Sequence, residues 1–257
     1  MKFEAHIICW NEAAVLPHIL RYWRAAGIDK LVVHDNHSTD RTLIILSQDW
    51  GFEIEVQDYE SGGHADDYIY KEIKDNSWKG SDADWVFIGD TDEVPYCHKG
   101  VRNFLEQLPD DIAIVQPCLY QVLGWTMPAG APPDWRSTLL HQRDDMRVQR
   151  CGPNKVNLFR PGRVNEMNYG LGAHHCSPVG ADIATRDDIA WLHCKSLGVE
   201  YLLERNRQLY ERLPDQVKAE KRIATHYLPG TDVRNVARDL AEAWANSDRY
   251  DKYPVLL

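Results

Sequence analysis

Apolar and β-branched residues crowd the segment from Phe3 to Trp10, which predicts a strand. After the polar pair Asn11-Glu12, apolar residues recur at Val15, Leu16, Ile19, Leu20, Trp23 and Ala26, a helical spacing closed by Gly27. Lys30 to Asp35 predicts a second strand, Asn36 to Asp40 a polar turn, Arg41 to Trp50 a second amphipathic helix stopped by Gly51, and Glu53 to Tyr59 a third strand. Strands that alternate with helices in this way imply a mostly parallel sheet, because parallel neighbours require a crossover connection.

Beyond the Ser61-Gly62-Gly63-His64 loop, Ala65 to Trp78 reads as a helix. Asp84 to Gly89 is an apolar strand that delivers polar residues at its C-terminal end, the edge where open α/β sheets bind ligands. Val101 to Leu108 predicts a helix and Asp111 to Val122 a strand. Gly124 to Gly152, with Pro128, Pro132 and Pro133, reads as a partly ordered substrate loop, since so long a loop in a compact domain is either functional or conceals an element. Lys155 to Arg160 and Ile189 to His193 predict two further strands. From Gly198 the pattern turns helical, opening with Val199 to Asn206 and followed by two more helical stretches. The expected organisation is an α/β domain over 1–197, Rossmann-like with a mostly parallel sheet flanked by helices, and a helical extension over 198–257 packed on it. There is no internal repeat and no low-complexity tract.

Composition narrows the function. The 257 residues are 44% hydrophobic and 26% charged, as in ordinary globular proteins, and the net charge of -10 argues against a nucleic-acid partner, which needs clustered Lys and Arg. An anionic ligand must therefore be held by a metal or by local positive groups. No apolar run approaches the roughly 18 residues of a membrane span. The six scattered cysteines form no CxxC pair, which suits reduced thiols and a cytoplasmic location.

The densest chemical signal is Asp90-Thr91-Asp92-Glu93, three carboxylates in four positions directly after an apolar strand. Carboxylates so close repel one another unless a cation lies among them, and Mg²⁺ or Mn²⁺ with substrate phosphates is the usual occupant. A solvated acidic turn is the plain alternative. Asp35-Asn36-His37-Ser38-Thr39-Asp40 is a second polar cluster at a strand end, although Ser38, Thr39 and Asp40 are also standard helix caps. Asn11-Glu12 is a third, and a Glu in a first helical turn also favours the helix dipole.

The order of these segments (strand, Asn-Glu, helix ending in Gly, strand, Asp-Asn-x-Ser-Thr-Asp, helix, and later Asp-x-Asp-Glu) resembles glycosyltransferases of the GT-A fold, closest to the family 2 and family 92-like group. The resemblance covers residues 5 to 95 and resumes between Asn154 and Asn206. It implies a nucleoside diphosphate sugar donor, UDP-linked by preference, at the C-terminal edge of the first strands. Asn11, Glu12, Asp35 and Asn36 match the nucleotide pocket, Asp90 a position near the ribose or metal, Asp92 the principal metal ligand, and Glu93 an orienting neighbour. His193 of Trp191-Leu192-His193-Cys194-Lys195-Ser196, and after it His174 or His175, match a late histidine that completes a metal shell. Lys155 matches a basic position beside the departing diphosphate; a surface lysine is the alternative.

The implied activity is sugar transfer, with inversion, to a hydroxyl of a glycan or other acceptor. By analogy it belongs to surface glycan synthesis, in the cytoplasm or at the inner membrane face and compatible with peripheral association. Asp134 and Glu166 are candidate bases by position, and the aromatics around Gly124-Trp125 and Pro133-Asp134-Trp135 could stack on a sugar acceptor or fill the core. Three rivals stay open. One is metal-dependent phosphoester hydrolysis or nucleotidyl transfer, which wants two metals. Another is a non-catalytic protein that binds the nucleotide sugar. The third is a structural zinc on His174-His175-Cys176 and His193-Cys194, disfavoured because successive strand residues face opposite ways and each cluster then supplies about one ligand.

Overall fold

A computed structural model gives the tertiary structure and describes residues 1–124, 127, 146–150, 155–215 and 232–248. Among the described residues nine strands form one sheet: β1 (Phe3–Cys9), β2 (Lys30–Asp35), β3 (Glu53–Asp58), β4 (Trp85–Asp90), β5 (Glu93–Tyr96), β6 (Ile114–Gly124), β7 (Met146–Arg150), β8 (Leu158–Phe159) and β9 (Ile183–Leu197). Their order is β3-β2-β1-β4-β8-β6-β9-β5, with β7 attached to β6. The first half, β3-β2-β1-β4, is parallel throughout. In the second half β8 runs antiparallel to both β4 and β6, β7 to β6, and β5 to β9, while β6 and β9 run parallel.

Helices α1 (Leu16–Ala26), α2 (Thr42–Leu46), α3 (Asp67–Asn76) and α4 (Val101–Glu106) are the connections. The inward stripe of α1, with Leu16, Ile19, Leu20 and Trp23, joins Phe3, Ala5 and Ile7 of β1 and Trp85 and Phe87 of β4 in the larger core. On the opposite face Val86 and Ile88 belong to a second core with Trp78, Phe159 and Tyr169. Strand β1 is buried along its whole length, so its polar residues need partners inside. His6 meets Glu4 at 2.7 Å and, across the strand pair, the ring of His34 at 3.3 Å.

Several boundaries differ from those the pattern predicts. The helix expected over Arg41 to Trp50 is only Thr42–Leu46, and Ile44 is exposed on it. The strand expected over Lys155 to Arg160 shrinks to Leu158–Phe159, whereas that over Ile189 to His193 extends to Ile183–Leu197. Strands β5 and β7 were not expected. Strand β5 starts on the last residue of what reads as an acidic turn, and β7 lies inside what reads as a loop; both exist because a distant strand, β9 or β6, offers a hydrogen-bonding edge. Beyond β9, only Gly198 separates the sheet from α5 (Val199–Glu211), and α6 (Val233–Ala245) follows. None of the helices among the described residues is long and apolar enough to cross a membrane.

Candidate active site

The parallel register sets Cys9 beside Asp35 and Ile8 beside Asp90, so three strands end at the same level. The turns that leave β1, β2 and β4 therefore stand side by side. Asn11 takes a left-handed conformation (φ 52°), which asparagine tolerates better than most residues, and aims its side chain at the neighbouring turn. Its Oδ1 accepts from the Thr39 and Asp40 backbone N–H at 2.7 and 3.2 Å, and its own N–H donates to Ser38 Oγ at 2.9 Å. The Glu12 N–H donates to Thr42 Oγ1 at 2.9 Å, and that of Ala13 to Asp40 Oδ2 at 3.1 Å. The Asn-Glu and Asp-Asn-x-Ser-Thr-Asp segments are thus one stitched edge.

Asp35 is buried and accepts from the Ser38 N–H and hydroxyl at 2.8 and 2.5 Å; Asn36 donates to Ser61 Oγ at 2.6 Å. Of the two side chains expected in the nucleotide pocket, Asp35 thus caps its own turn and Asn36 ties that turn to the Ser61–His64 loop.

In the acidic turn each carboxylate has its own protein cation. Asp90, whose side chain is 39% exposed, meets Lys74 Nζ at 2.8 Å. Burial works against its ionisation, but Lys74 and then Lys155 hold its pKa below the ordinary value. Glu93 is fully buried, accepts from the Asp90 N–H at 3.1 Å and pairs with Lys155 Nζ at 2.5 Å, which also lies 4.9 Å from the Trp191 ring centroid. Lys155 is therefore the counter-ion of Glu93 rather than a lysine on the cleft surface. Thr91 donates to Ile8 O at 2.9 Å and fixes the turn to β1.

Asp92 is 1% exposed, with Oδ2 at 2.9 Å from Arg205 Nη2 and 3.5 Å from His193 Nε2. Burial would raise its pKa, but the charge of Arg205, ahead of that of His193, holds the carboxyl well below the usual carboxylate range. His193 reaches this place because β9 pairs antiparallel with β5 in the register Glu93 opposite His193, and Cys194 N–H donates to Asp92 O at 2.7 Å.

Arg205 is the residue that sequence reasoning missed. It comes from α5, where Tyr201, Arg205, Gln208 and Leu209 share one face by helical period. A charged residue within that partly apolar stripe was the available signal. This face closes a cleft of about 250 Å³ against Trp10, Asn11, Glu12 and Asp40. At the end of α5 the Arg212 guanidinium stacks 3.9 Å from the Trp10 ring centroid and donates to the carbonyls of Gly63 and His64, which anchors the helix over the cleft.

Glu12 faces the same cleft, and its pKa is raised to about 7: burial is the main cause, and the nearby carboxylates of Asp92, Asp90 and Asp40 add to it against the pull of Arg205. The folded protein thus holds a proton that the unfolded chain, at an ordinary value of 4.5, has released. Stability from this group is full below pH 4.5 and is lost as pH rises to about 7. Glu12→Gln, which mimics the protonated form, is expected to gain stability over the wild type across that window and to hold the gain above it. Urea midpoints from pH 4 to 8 that stay parallel for the two proteins would contradict this.

The remaining expected site residues lie elsewhere. Glu166 is held by Lys79 at 2.7 Å, with its backbone bridged to Val179, and it makes no described contact with the cluster. His174 is exposed and feels the charges of Lys155, Glu93, Lys74 and Asp67 rather than joining Asp92 and His193. Asp134, Trp125 and the Pro133-Asp134-Trp135 aromatics lie outside the described residues. Among the described residues no three His, Cys, Asp or Glu side chains converge as a metal cage, so neither the zinc arrangement nor a shell joining Asp90, Asp92, His193 and His174 is assembled. The five described cysteines, Cys9, Cys97, Cys118, Cys176 and Cys194, are free thiols.

The donors that do meet suit a hard divalent ion. Asp92 Oδ2 is buried with no aligned hydrogen-bond donor despite its ion pairs, and the His193 imidazole stands beside it; Asp90, two residues away on the turn, does not converge with them but offers a part-exposed carboxylate. Mg²⁺ and ions like it are commonly held by one or two carboxylates with substrate phosphates rather than by an all-protein cage.

No protein-family model matches the chain, and no curated protein matches it. Solved structures similar to it include S. aureus TarS, at 14% identity over 90% of this chain and 43% of that one, with a TM-score of 0.44. S. aureus TarS 1-349 in complex with UDP is 12% identical over 90% of this chain and 70% of that one, TM-score 0.44. Glucosyl-3-phosphoglycerate synthase from Mycobacterium tuberculosis, in complex with Mn²⁺, UDP and glucosyl-3-phosphoglycerate, is 15% identical over 84% of this chain and 82% of that one, TM-score 0.39. The chain thus spans less than half the length of full TarS.

Proposed function

We propose that this chain is a GT-A glycosyltransferase that moves a sugar from a nucleoside diphosphate sugar, UDP-linked by preference, to an acceptor hydroxyl with the help of Mn²⁺ or Mg²⁺. The observation that carries this reading is at the C-terminal edge of three parallel strands: the stitched Asn11–Asp40 edge lines a cleft with Arg205, and Arg205 in turn joins Asp92 of the acidic turn, which His193 also meets. Ligands of open α/β sheets bind at that edge. Asp92 and His193, with Asp90, would hold the cation; when bound, it supplies Lewis-acid stabilisation of the departing diphosphate. Glu93 and Lys155 act as positioning residues, since their buried ion pair fixes the backbone of the acidic turn through the Asp90 N–H. The sequence resemblance points to inversion, which needs a base on the acceptor side. Of the two candidates by position, Glu166 pairs with Lys79 and makes no described contact with the Asp92 cluster, which favours Asp134.

Phosphoester hydrolysis with two metals fits less well. Two ions need several shared carboxylates, whereas Glu93 is fully buried against Lys155 and Asp90 pairs with Lys74, so that Asp92 with His193 offers a meeting point for one ion. Incubation with UDP-sugars, Mn²⁺ and a panel of acceptors, followed by nucleotide analysis, tests the proposal. Release of UDP is expected; release of UMP would indicate cleavage of the diphosphate instead. Absence of UDP binding in calorimetry, with and without Mn²⁺, would overturn the proposal, and binding without turnover of any acceptor would favour a non-catalytic role.

A further inference from the structure

The cation nearest to Asp92 is a side chain of the protein. We propose that Arg205 is an exchangeable counter-ion: in the ligand-free cleft it neutralises Asp92, and when a divalent cation takes Asp92 it swings its guanidinium onto the diphosphate of the nucleotide. This rests on the nucleotide-sugar reading above.

Four observations support the exchange. First, Asp92 is almost wholly buried, and a buried carboxylate without a counter-charge is strongly unfavourable, so something positive must sit there before any metal arrives. Second, the 2.9 Å contact is made to Asp92 Oδ2, an oxygen that has no aligned hydrogen-bond donor and is therefore held by charge and not by geometry. A metal and a guanidinium on one oxygen would repel each other, so one must yield. Third, Arg205 is on α5 and not in the sheet, and its side chain is 19% exposed, so it leaves without breaking a strand. With Arg212 clamping the end of α5 to Trp10, Gly63 and His64, the movement required is a side-chain swing. Fourth, the lining of the cleft holds Glu12, Asp40 and Glu204, and among the described lining residues Arg205 is the one cation. A diphosphate entering so acidic a cleft needs that guanidinium, whose planar fork matches two phosphate oxygens at once.

The proposal predicts effects of opposite sign in one variant. Arg205→Gln is expected to bind Mn²⁺ alone more tightly than the wild type, by paramagnetic resonance of the free ion, because the competitor for Asp92 is gone. The same variant is expected to lose about tenfold or more of its preference for UDP over uridine in calorimetry with Mn²⁺, the worth of a charged hydrogen bond. Mn²⁺ should also raise the melting temperature of Arg205→Gln more than that of the wild type. A folded variant with unchanged Mn²⁺ affinity, or with an unchanged UDP-to-uridine ratio, overturns the exchange while the wild type still binds UDP. A wild type that binds no UDP removes the nucleotide-sugar reading itself, and this inference with it. If Arg205→Gln does not fold, Arg205→Lys decides, since it keeps the charge but loses the fork: a reduced UDP-to-uridine ratio is expected, and an unreduced one overturns the proposal.

Discussion

Replacing Lys155 by methionine is expected to destabilise the protein by about 3–5 kcal/mol, the usual consequence of removing one partner of a buried ion pair. The reason is Glu93. Its carboxylate is fully buried, and with Lys155 gone its described polar partner is the Asp90 N–H alone. Methionine fills the space of the lysine stem against Trp191 without the charge, so the loss reports on electrostatics more than on packing. For a chain of this size such a loss lowers the melting temperature by roughly 10 °C. The double variant Lys155→Met/Glu93→Gln is expected to recover most of it, because a neutral amide no longer needs a counter-ion. Burial counts against the charge on Lys155, yet Glu93 and Asp90 raise its pKa, so the lysine keeps its charge at neutral pH. A single variant that melts within a degree of the wild type would show that the pair does not hold the acidic turn.

The largest functional effect is expected at Asp92. Asp92→Asn keeps the shape of the side chain, which matters because the site is 1% exposed and alanine would leave Arg205 and His193 facing a void. The change removes the charge that the divalent cation and Arg205 share. Mn²⁺-dependent binding of UDP is expected to disappear, and sugar transfer to fall by about 10²–10³-fold, the scale of losing a preorganised charge at the reacting group. Calorimetry with UDP and Mn²⁺, alongside circular dichroism to confirm the fold, provides the check. Turnover at the wild-type level would overturn the assignment of Asp92 and, with it, the account of Arg205.

The parts of this fold that could be read along the chain are those in which neighbours in sequence are neighbours in space. The alternation of β1, α1, β2, α2, β3, α3 and β4 follows from apolar runs and helical periods, and a parallel register then forces the Asn11, Asp35 and Asp90 turns to one edge. Strand β5 was hidden because Glu93 to Tyr96 pairs with a strand about a hundred residues away, and nothing local marks a four-residue strand that begins on a buried glutamate. Strand β7 was hidden for a like reason, its pairing with β6 outweighing a proline-bearing surround.

The identities of the acidic and late-histidine residues, and the edge on which the acidic turn stands, were thus decided by local order, because hydrophobic period and strand direction act over short stretches of chain. Which partners those residues take in the folded chain was decided only by tertiary structure. That Asp35 caps its own turn, that Lys155 pairs with Glu93 and that Arg205 pairs with Asp92 are matters of charge pairing. Charges pair through space inside a buried site, where the nearest opposite charge is chosen by packing and not by position along the chain.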